Sequence, residues 1–383
     1  MRELRLVPDD PATLVPAVRA ALDGSGPAVL PVAPGAPVPA VPDRVPLPVA
    51  VVVATSGTSG TPKAVAVSAG ALLASAAATE SALGGPGSWV LALPGHYIAG
   101  VQVVVRALAA GTEPLPIAPG PFTARALADA VRALPPERRR YTALVPTQLH
   151  RVVEAVEAGD ADVREAVHAL DAVLIGGGRL AGDLADRAAR VGIAVHRTYG
   201  ASETAGGCVY DGAPLAGVEV RVVDGEVQLS GPTLAEGYLG DPERTAAAFL
   251  QEPGRRWYRT GDAGEWDGRR LAVTGRLDDV VVTGGEKVSL GLVERAVQAI
   301  GGLGQALVVR AADPEWGEVP VVVTTTPVDL AAVRDAVGAA LGRAAAPRRA
   351  VVVREIPLLP SGKPDRRALQ ARVAALGRRA PGS

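Results

Sequence analysis

Cysteine is almost absent from this chain of 383 residues, in which Cys208 is the single example. One cysteine excludes internal disulfides and a cysteine-based zinc cluster, so we interpret Cys208 as a packing residue. Aromatic residues are also scarce, at 3% of the chain against 48% hydrophobic residues. Alanine, valine and leucine must therefore fill the core.

Long apolar runs and a charge excess are missing as well. No apolar run approaches the ~18 residues of a membrane span, and the N-terminal MRELRLVPDD lacks the apolar core of a secretion signal. The formal net charge of -1 argues against binding to nucleic acid or acidic membranes, which normally shows as a basic excess. We expect a cytoplasmic protein that binds neither nucleic acid nor membrane, and a homodimer remains open.

Lysine is the scarcest charged residue. Lys63, Lys287 and Lys363 are the three lysines among 39 Lys+Arg, and each lies near glycine, in TSGTPK, TGGEK and PSGKPD. A GC-rich genome would explain the scarcity by favouring arginine codons, but it leaves the placement unexplained. A compact ammonium reaches tight oxyanion sites where a guanidinium does not fit. We therefore expect at least two of these lysines to be functional.

Strand and helix patterns alternate over residues 50–200. They predict an α/β fold with a largely parallel, doubly wound sheet covered on both faces. The segments TSGTSGTPK, GGGRL and TYGASET each follow a predicted strand, at the edge where such sheets bind ligands. We expect an N-terminal domain over 1–276 and a small α+β domain over 277–383.

Two hairpins are predicted after residue 210, with turns at Asp224-Gly225 and Asp267-Gly268. They indicate a small β-rich subdomain within the N-terminal domain. We interpret both aspartates as turn residues without chemistry.

The glycine-rich segment over 55–63 has the composition of a phosphate-binding loop, although a plain flexible turn is the alternative. It is not a P-loop, because Pro62 stands where that motif has glycine and Ala64 where it has Ser or Thr. Nothing in it supplies the hydroxyl that would hold magnesium beside the lysine.

The succession SGTSGTPK, GGGRL, TYGASET, YRTGD, GRLDD and PSGKPDR resembles that of the adenylate-forming acyl/aryl-CoA ligases, adenylation domains and luciferases. The resemblance spans residues 50 to 372. It implies a large N-terminal domain and a small mobile C-terminal domain joined near GRLDD. It also implies that a carboxylate and ATP form acyl-AMP and pyrophosphate, that a thiol then displaces AMP, and that Mg²⁺ and coenzyme A take part.

The resemblance also implies roles for individual residues. It assigns the β- and γ-phosphates to Thr55, Ser56, Thr58, Ser59 and Lys63. Gly176, Gly177 and Gly178 would approach the adenine edge, and Tyr199 would stack on the ring. The resemblance adds Gly57, Gly60, Thr198 and Gly200 to the residues that bind ATP or AMP. Glu203 would help to hold Mg²⁺, Thr204 would contact the α-phosphate, and Asp262 and Arg276 would bind ribose.

In the C-terminal domain the resemblance identifies Lys363 as the catalytic lysine of adenylation. Asp278 matches the hinge residue about which the small domain turns. Gly284, Gly285 and Lys287 match a loop that lines the pantetheine tunnel. For Lys287 itself, a CoA contact and a plain surface charge remain equally open.

For the acyl substrate, LPGHYIAGVQVVVR, YTALVPTQL and SETAGGCVYDG most resemble o-succinylbenzoate–CoA ligases of menaquinone biosynthesis, in their short form. The candidate substrate residues are His96, Tyr97, Gln102, Arg106, Thr147, Ser202 and Gly207. The family more often has an aromatic residue before the histidine, so either His96 or Tyr97 could do that histidine's work. Arg106 is equally open to being a charge on a helix surface.

Alternatives remain. The chain is shorter than typical family members ahead of the phosphate loop, so either that subdomain is abbreviated or a partner covers the exposed sheet. Within the same chemistry, the chain could load an aryl acid onto a carrier protein or be another aryl-CoA ligase. A non-catalytic nucleotide-binding relative is disfavoured, because Lys63, Glu203, Asp262, Arg276 and Lys363 are all retained.

Overall fold

The computed structural model describes residues 1–35, 40–55, 63–180, 182–359 and 362–377. Its elements up to residue 201 are β1 (Arg2–Pro8), α1 (Pro11–Leu22), β2 (Ala28–Val32), β3 (Arg44–Val45), β4 (Val49–Thr55), β5 (Lys63–Ser68), α2 (Ala69–Ala82), β6 (Gly87–Leu91), α3 (Ile98–Ala109), β7 (Leu115–Pro116), α4 (Ala124–Arg132), β8 (Arg139–Leu144), α5 (Pro146–Glu157), α6 (Ala161–His168), β9 (Ala172–Ile175), α7 (Gly182–Arg190) and β10 (Val195–Ala201). The elements that follow are β11 (Gly206–Tyr210), β12 (Ala213–Pro214), β13 (Glu219–Val223), β14 (Glu226–Ser230), β15 (Gly237–Tyr238), α8 (Pro242–Ala248), β16 (Phe249–Glu252), β17 (Arg255–Trp266), β18 (Leu271–Arg276), β19 (Val280–Thr283), β20 (Glu286–Ser289), α9 (Leu290–Gln298), β21 (Leu307–Asp313), β22 (Gly317–Thr324), α10 (Leu330–Leu341), β23 (Arg349–Val352) and α11 (Arg366–Gly377).

A seven-stranded sheet in the order β12-β11-β10-β9-β8-β6-β7 forms the centre of the N-terminal region. The strands from β7 to β10 pair in parallel, and β11 and β12 continue the sheet antiparallel. One core cluster joins this sheet to α3, and a second joins it to α4, α5, α6 and α7. Apolar strands covered in this way are buried on both faces. The predicted doubly wound, mostly parallel fold is confirmed.

The two described ends of the phosphate-loop segment belong to a second sheet, in the order β15-β5-β4-β2-β1-β3. Thr55 ends β4 and Lys63 begins β5, and the two strands pair antiparallel with these residues opposite each other. The expectation that this segment follows a strand of the same sheet as GGGRL and TYGASET is therefore wrong. The reason is that residues 64–68 are buried in succession and form a strand directly before helix α2.

One face of this second sheet bears directly on the short length of the chain. Leu4, Leu30, Val52 and Ala66 are buried on that face, and Val41 packs against their cluster. The chain's own residues thus cover part of this face, while Leu6, on the same face of β1, is 44% exposed. An abbreviated subdomain and a covering partner both stay predictions.

The β-rich subdomain is a sheet in the order β13-β14-β17-β16, with β18 paired to β17. Its hairpins turn where the sequence predicted, at Asp224-Gly225 between β13 and β14 and at Asp267 between β17 and β18. The Asp267 carboxylate accepts hydrogen bonds from the backbone N–H groups of Arg269 and Arg270, which confirms its turn role.

The C-terminal unit contains a sheet in the order β20-β19-β22-β21, with β23 beside β22. Helices α9 and α10 share one core cluster with this sheet, and α11 packs in another cluster with β21 and β22. The segment VTGGEK, expected to be a loop, forms the turn of the β19–β20 hairpin.

None of the helices in the described ranges is both long enough and apolar enough to cross a membrane.

Candidate active site

The carboxyl ends of β8, β9 and β10 lie side by side at one edge of the seven-stranded sheet. Helix α5 starts there after β8, Gly176–Gly178 follow β9, and the short 3-10 turn Ser202–Thr204 follows β10. Doubly wound sheets bind ligands at this edge. Most of the predicted nucleotide-binding residues therefore share one side of the molecule.

Lys63 reaches this edge from the second sheet. Its Nζ lies 3.8 Å from Glu203 Oε1 and 5.1 Å from the centroid of the Tyr238 ring. The Tyr238 hydroxyl donates a 2.9 Å hydrogen bond to the same Glu203 oxygen. Because Glu203 is only 6% exposed, the ammonium and the hydroxyl take the place of water around its carboxylate.

Sequence reasoning missed Tyr238. It lies on β15, which pairs with β5 so that Tyr238 stands opposite Val65. Burial, together with the Glu203 charge, raises the pKa of the Tyr238 phenol, which therefore stays protonated and able to donate. Tyr238 lies beside Lys63 only because β15 pairs with β5, and no local sequence motif predicts that pairing.

Glu203 is the carboxylate that the sequence assigns to Mg²⁺. Magnesium takes oxygen ligands and is usually held by one or two carboxylates together with substrate phosphates. Across the described residues, no group of three or more His, Cys, Asp or Glu side chains is arranged around a metal position. One buried carboxylate beside a lysine that is predicted to bind phosphate fits a metal that arrives with ATP, whereas an all-protein cage would need more ligands.

Of the predicted phosphate-loop residues, the structure describes the two ends. Thr55 ends β4 and Lys63 begins β5. The residues between them that carry predictions lie outside the described residues: Ser56, Gly57, Thr58, Ser59 and Gly60. Their contact with the β- and γ-phosphates stays a prediction.

The two predicted ribose-binding residues form a chain with Tyr199. The Tyr199 hydroxyl donates to Asp262 Oδ2 at 2.7 Å, and Arg276 Nη1 lies 3.2 Å from Asp262 Oδ1. Arg276 Nε also donates to Asp278 at 3.0 Å. Burial raises the pKa of Asp262, while the hydrogen bond from Tyr199 and the Arg276 charge oppose that rise. This carboxylate has the acceptor chemistry that two ribose hydroxyls require.

Two threonines that are predicted to bind the nucleotide, Thr198 and Thr204, form hydrogen bonds with backbone groups. The Thr204 hydroxyl donates to the Gly206 carbonyl at 2.8 Å and accepts from the Ala201 N–H at 2.9 Å, so it shapes the turn after β10. The Thr198 hydroxyl donates to the Ile175 carbonyl at 3.2 Å, next to Gly176. Gly200 continues β10 between them. Contact of Thr204 with the α-phosphate stays a prediction.

Lys363 arrives at the same edge from the C-terminal unit. A Cβ atom built on Gly177 would lie 3.0 Å from Lys363 Cε and 3.8 Å from its Nζ. Gly177 has a φ of +74°, so glycine serves both its backbone conformation and the close passage of the lysine. The surrounding protein lowers the pKa of Lys363 because desolvation disfavours the charged form.

Helix α3 carries two buried candidate substrate residues, Gln102 and Arg106. Arg106 is 7% exposed, so its alternative interpretation as a helix-surface charge is wrong. Its Nη2 donates to the Tyr210 hydroxyl at 3.3 Å, and its guanidinium lies 5.3 Å from the Trp89 ring centroid. Burial lowers the pKa of Arg106. Gln102 Nε2 donates to the Ala205 carbonyl at 2.7 Å, just after the Ser202–Thr204 turn.

His96 and Tyr97 occupy one corner, with ring centroids 4.1 Å apart. His96 Nδ1 is hydrogen-bonded to Asp9 Oδ2, and Asp9 Oδ1 accepts the Gly95 N–H at 2.7 Å. Asp9, which sequence reasoning missed, thus fixes the orientation of the His96 ring from the end of β1. Which of the two aromatic rings does the family histidine's work stays open.

The remaining substrate candidates lie near the same edge. Ser202 is buried in the turn after β10, and Gly207 pairs with Gly200 across the β10–β11 ladder. The Thr147 hydroxyl, in the first turn of α5, donates to the Gly362 carbonyl at 3.0 Å. Thr147 thus contacts the lysine-bearing segment directly.

The predicted CoA-contacting residues lie in the β19–β20 hairpin. Gly284 and Gly285 form its turn with positive φ angles, and Gly284 N–H donates to the Trp316 carbonyl at 3.0 Å. Lys287 is exposed on β20, where its backbone pairs with β19, and its side chain forms no hydrogen bond or ion pair with another described residue. Its role in CoA binding stays a prediction.

Comparison with known families gives two matches that together span most of the chain. Residues 9–239 match the family described as AMP-binding enzyme, and residues 292–363 match the AMP-binding enzyme C-terminal domain. The gap between them contains the predicted hinge.

Individual relatives agree with the family matches. A probable 2-succinylbenzoate–CoA ligase of Mycobacterium tuberculosis is 40% identical over 95% of this chain and 96% of that protein. The structure of an Escherichia coli MenE variant with bound OSB-AMS aligns with a TM-score of 0.74 at 28% identity, covering 93% of this chain and 84% of that one. The amide bond synthetase McbA from Marinactinospora thermotolerans aligns with a TM-score of 0.74 at 27% identity, covering 97% and 80% of the two chains.

Proposed function

This chain belongs to the AMP-binding enzyme family, and from that membership we propose that it ligates o-succinylbenzoate to coenzyme A for menaquinone biosynthesis. First, a carboxylate oxygen of the acid attacks the α-phosphorus of ATP, and the bond to the leaving pyrophosphate breaks. Then the CoA sulfur attacks the acyl carbonyl carbon, its proton leaves, and AMP departs. The products are the thioester, AMP and pyrophosphate.

One observation carries the choice of acid. The Mycobacterium tuberculosis relative, named a probable 2-succinylbenzoate–CoA ligase, is similar over nearly the full length of both chains. That similarity includes the segments that form the acyl pocket in our interpretation, with His96, Gln102 and Arg106. A dicarboxylate acid needs donors and cations beside an apolar wall, and Gln102 and Arg106 supply buried examples of both.

During adenylation, two anions must meet, so cations and donors have to offset the growing negative charge. In our proposal Lys63 binds the β- and γ-phosphates, and Lys363 neutralises the acid carboxylate and the α-phosphate. Asp262 binds the ribose hydroxyls and Tyr199 lies against adenine. The Lys63–Glu203 and Lys363–Gly177 contacts support this division, because they bring both ammonium groups to the same sheet edge.

Glu203 is the protein ligand that we propose for Mg²⁺. When bound with ATP, the metal neutralises phosphate charge. Tyr238 holds the Glu203 carboxylate in place, and Lys63 is the neighbouring cation that can move from Glu203 to phosphate.

For thioester formation we propose that residues 277–383 rotate as one domain about Asp278. The rotation withdraws Lys363 and brings the hairpin of Gly284, Gly285 and Lys287 toward the pantetheine chain. The absence of a Lys287 partner within the described part of the chain is compatible with a residue that acts in another pose. We place the enzyme in the cytoplasm, where ATP and CoA are available.

Pyrophosphate release measured across a panel of aryl and keto acids tests the proposal. We expect the highest kcat/KM with o-succinylbenzoate, and thioester formation with free CoA. Release with a different acid alone would overturn the substrate and leave the fold intact. Transfer only to a phosphopantetheinylated carrier protein would instead identify a carrier-loading enzyme.

A further inference from the structure

The turn that carries Lys363 is closed by its own backbone. The Gly362 N–H donates to the Leu359 carbonyl, and the Leu359 N–H donates to the Lys363 carbonyl, each at 2.8 Å. A bridge between Leu358 and Pro364 continues the pairing. Among the described residues, no backbone N–H donates to the Gly362 carbonyl.

Thr147 donates a hydrogen bond to the Gly362 carbonyl. Its hydroxyl donates to Gly362 O at 3.0 Å, and a Cβ atom built on Gly362 would lie 3.0 Å from Val145 Cγ2. The lysine turn therefore rests directly on the residues that start helix α5. One residue further along, Lys363 passes over Gly177.

The segment that carries Thr147 is itself firmly held. Gln148 Oε1 accepts the Val145 N–H, and Gln148 Nε2 donates to the Ala92 carbonyl, both at 3.0 Å. The Gly176 N–H donates to the Leu144 carbonyl at 3.2 Å, which ties this segment to the glycine segment under Lys363. Thr147 and Gly177 therefore lie on two linked segments, and the lysine turn contacts both of them.

We infer that Thr147 is a positioning residue that holds the Lys363 turn in the pose for adenylation, and not a contact for the acyl substrate. The inference rests on the proposed function, in which Lys363 acts only in the first half-reaction. A hydroxyl that binds the carbonyl next to the lysine aligns the ammonium in that pose, and it releases the turn when the C-terminal unit rotates.

Thr147→Val tests this because valine keeps the shape and removes the donor, while Thr147→Ser keeps the donor. We expect Thr147→Val to lower kcat of pyrophosphate release roughly three- to tenfold, the range for one lost hydrogen bond. KM for the acid and thioester formation from supplied acyl-adenylate stay unchanged, and Thr147→Ser retains the wild-type rate. A raised KM for the acid at constant kcat, or equal losses in both half-reactions, overturns the inference.

A double-mutant cycle with Lys363→Ala separates positioning from general damage. If Thr147 acts through Lys363, adding Thr147→Val to Lys363→Ala causes no further loss of adenylation. A further loss as large as that in the wild-type background overturns the inference. The acid for these assays is whichever member of the panel releases pyrophosphate.

The pose itself can be measured without any acid. Spin labels at Glu165→Cys and Arg372→Cys report the distance between helices α6 and α11, since both positions are exposed and Cys208 is fully buried. We expect Thr147→Val to broaden or shift the distance distribution, and Thr147→Ser to leave it as in the parent protein. Identical distributions in all three overturn the inference, whatever the substrate proves to be.

Discussion

Glu203 shows how a single buried carboxylate can serve two states of a site. In the structure its Oε1 accepts a 2.9 Å hydrogen bond from the Tyr238 hydroxyl and lies 3.8 Å from Lys63 Nζ. A buried charge needs partners, because water no longer solvates it. In our proposal phosphate draws Lys63 away, and Tyr238 then keeps Glu203 in place with a carboxylate oxygen free for Mg²⁺. Tyr238 therefore matters before and after ATP binds.

Tyr238→Phe removes that hydrogen bond and leaves the ring in place. A hydrogen bond to a charged group is worth about 1.5–3 kcal/mol, so we expect kcat/KM for ATP to fall at least about tenfold. More magnesium should also be needed for half-maximal pyrophosphate release. The measurement is a titration of MgCl₂ at fixed ATP.

Tyr141→Phe is the matched control. The Tyr141 hydroxyl donates to the Leu83 and Gly85 carbonyls, and none of these three residues is a predicted phosphate contact. It should lower the melting temperature and leave the magnesium dependence unchanged. The role given to Tyr238 fails if Tyr238→Phe shows the wild-type magnesium dependence.

The lowered pKa of Lys363 predicts a pH profile. In the proposed mechanism the ammonium must carry its proton to neutralise the α-phosphate, and desolvation makes it lose that proton below the ordinary lysine pKa of about 10.4. Adenylation should therefore decline as pH rises toward that value, while thioester formation from supplied acyl-adenylate should not share the decline. Lys363→Arg, slower but always charged, should move the decline to higher pH. A decline at the same pH in Lys363→Arg would assign it to another group.

At the level of strands and helices, the sequence predicted most of the parallel sheet, because apolar strands and amphipathic helices alternate there with clear glycine boundaries. It did not predict β5, where residues 63–68 lead into α2 with Ser68 as the helix cap and no breaker between them. Because β5 was not predicted, Tyr238 was missed as well. It contacts Glu203 only because β15 pairs with β5. Asp9 was missed for a similar reason, since its contact with His96 spans 87 residues of sequence. Residues within a motif can be recognised from the local sequence. The residues that contact them lie far away in the sequence and depend on how the strands pair in the fold.

The β19–β20 hairpin gives a test at this level. Gly284 has a φ of +57°, and a Cβ atom there would lie 2.7 Å from Trp316 Cε3. Gly285 has a φ of +87° with nothing within 4 Å of such an atom. We expect Gly285→Ala to destabilise by about 1 kcal/mol through backbone strain, and Gly284→Ala by more because the Trp316 ring must also move. Melting temperatures of both variants decide this, and equal shifts would show that the ring contact does not matter.

For the whole molecule, the central feature is that Lys63 and Lys363 reach one sheet edge from different parts of the fold. Lys63 comes from the second sheet and Lys363 from the C-terminal unit, while Lys287 lies on an exposed hairpin. This arrangement corresponds to the adenylation half of the proposed reaction. It predicts that the two halves of the chemistry use different poses of residues 277–383.

The most direct test is a single-vessel assay with purified protein, o-succinylbenzoate, ATP, Mg²⁺ and CoA, in which mass spectrometry quantifies the products. The account predicts o-succinylbenzoyl-CoA and AMP in equal amounts, with neither formed when the acid is left out. AMP and pyrophosphate without a CoA thioester, or a thioester with another acid but not with o-succinylbenzoate, would contradict it.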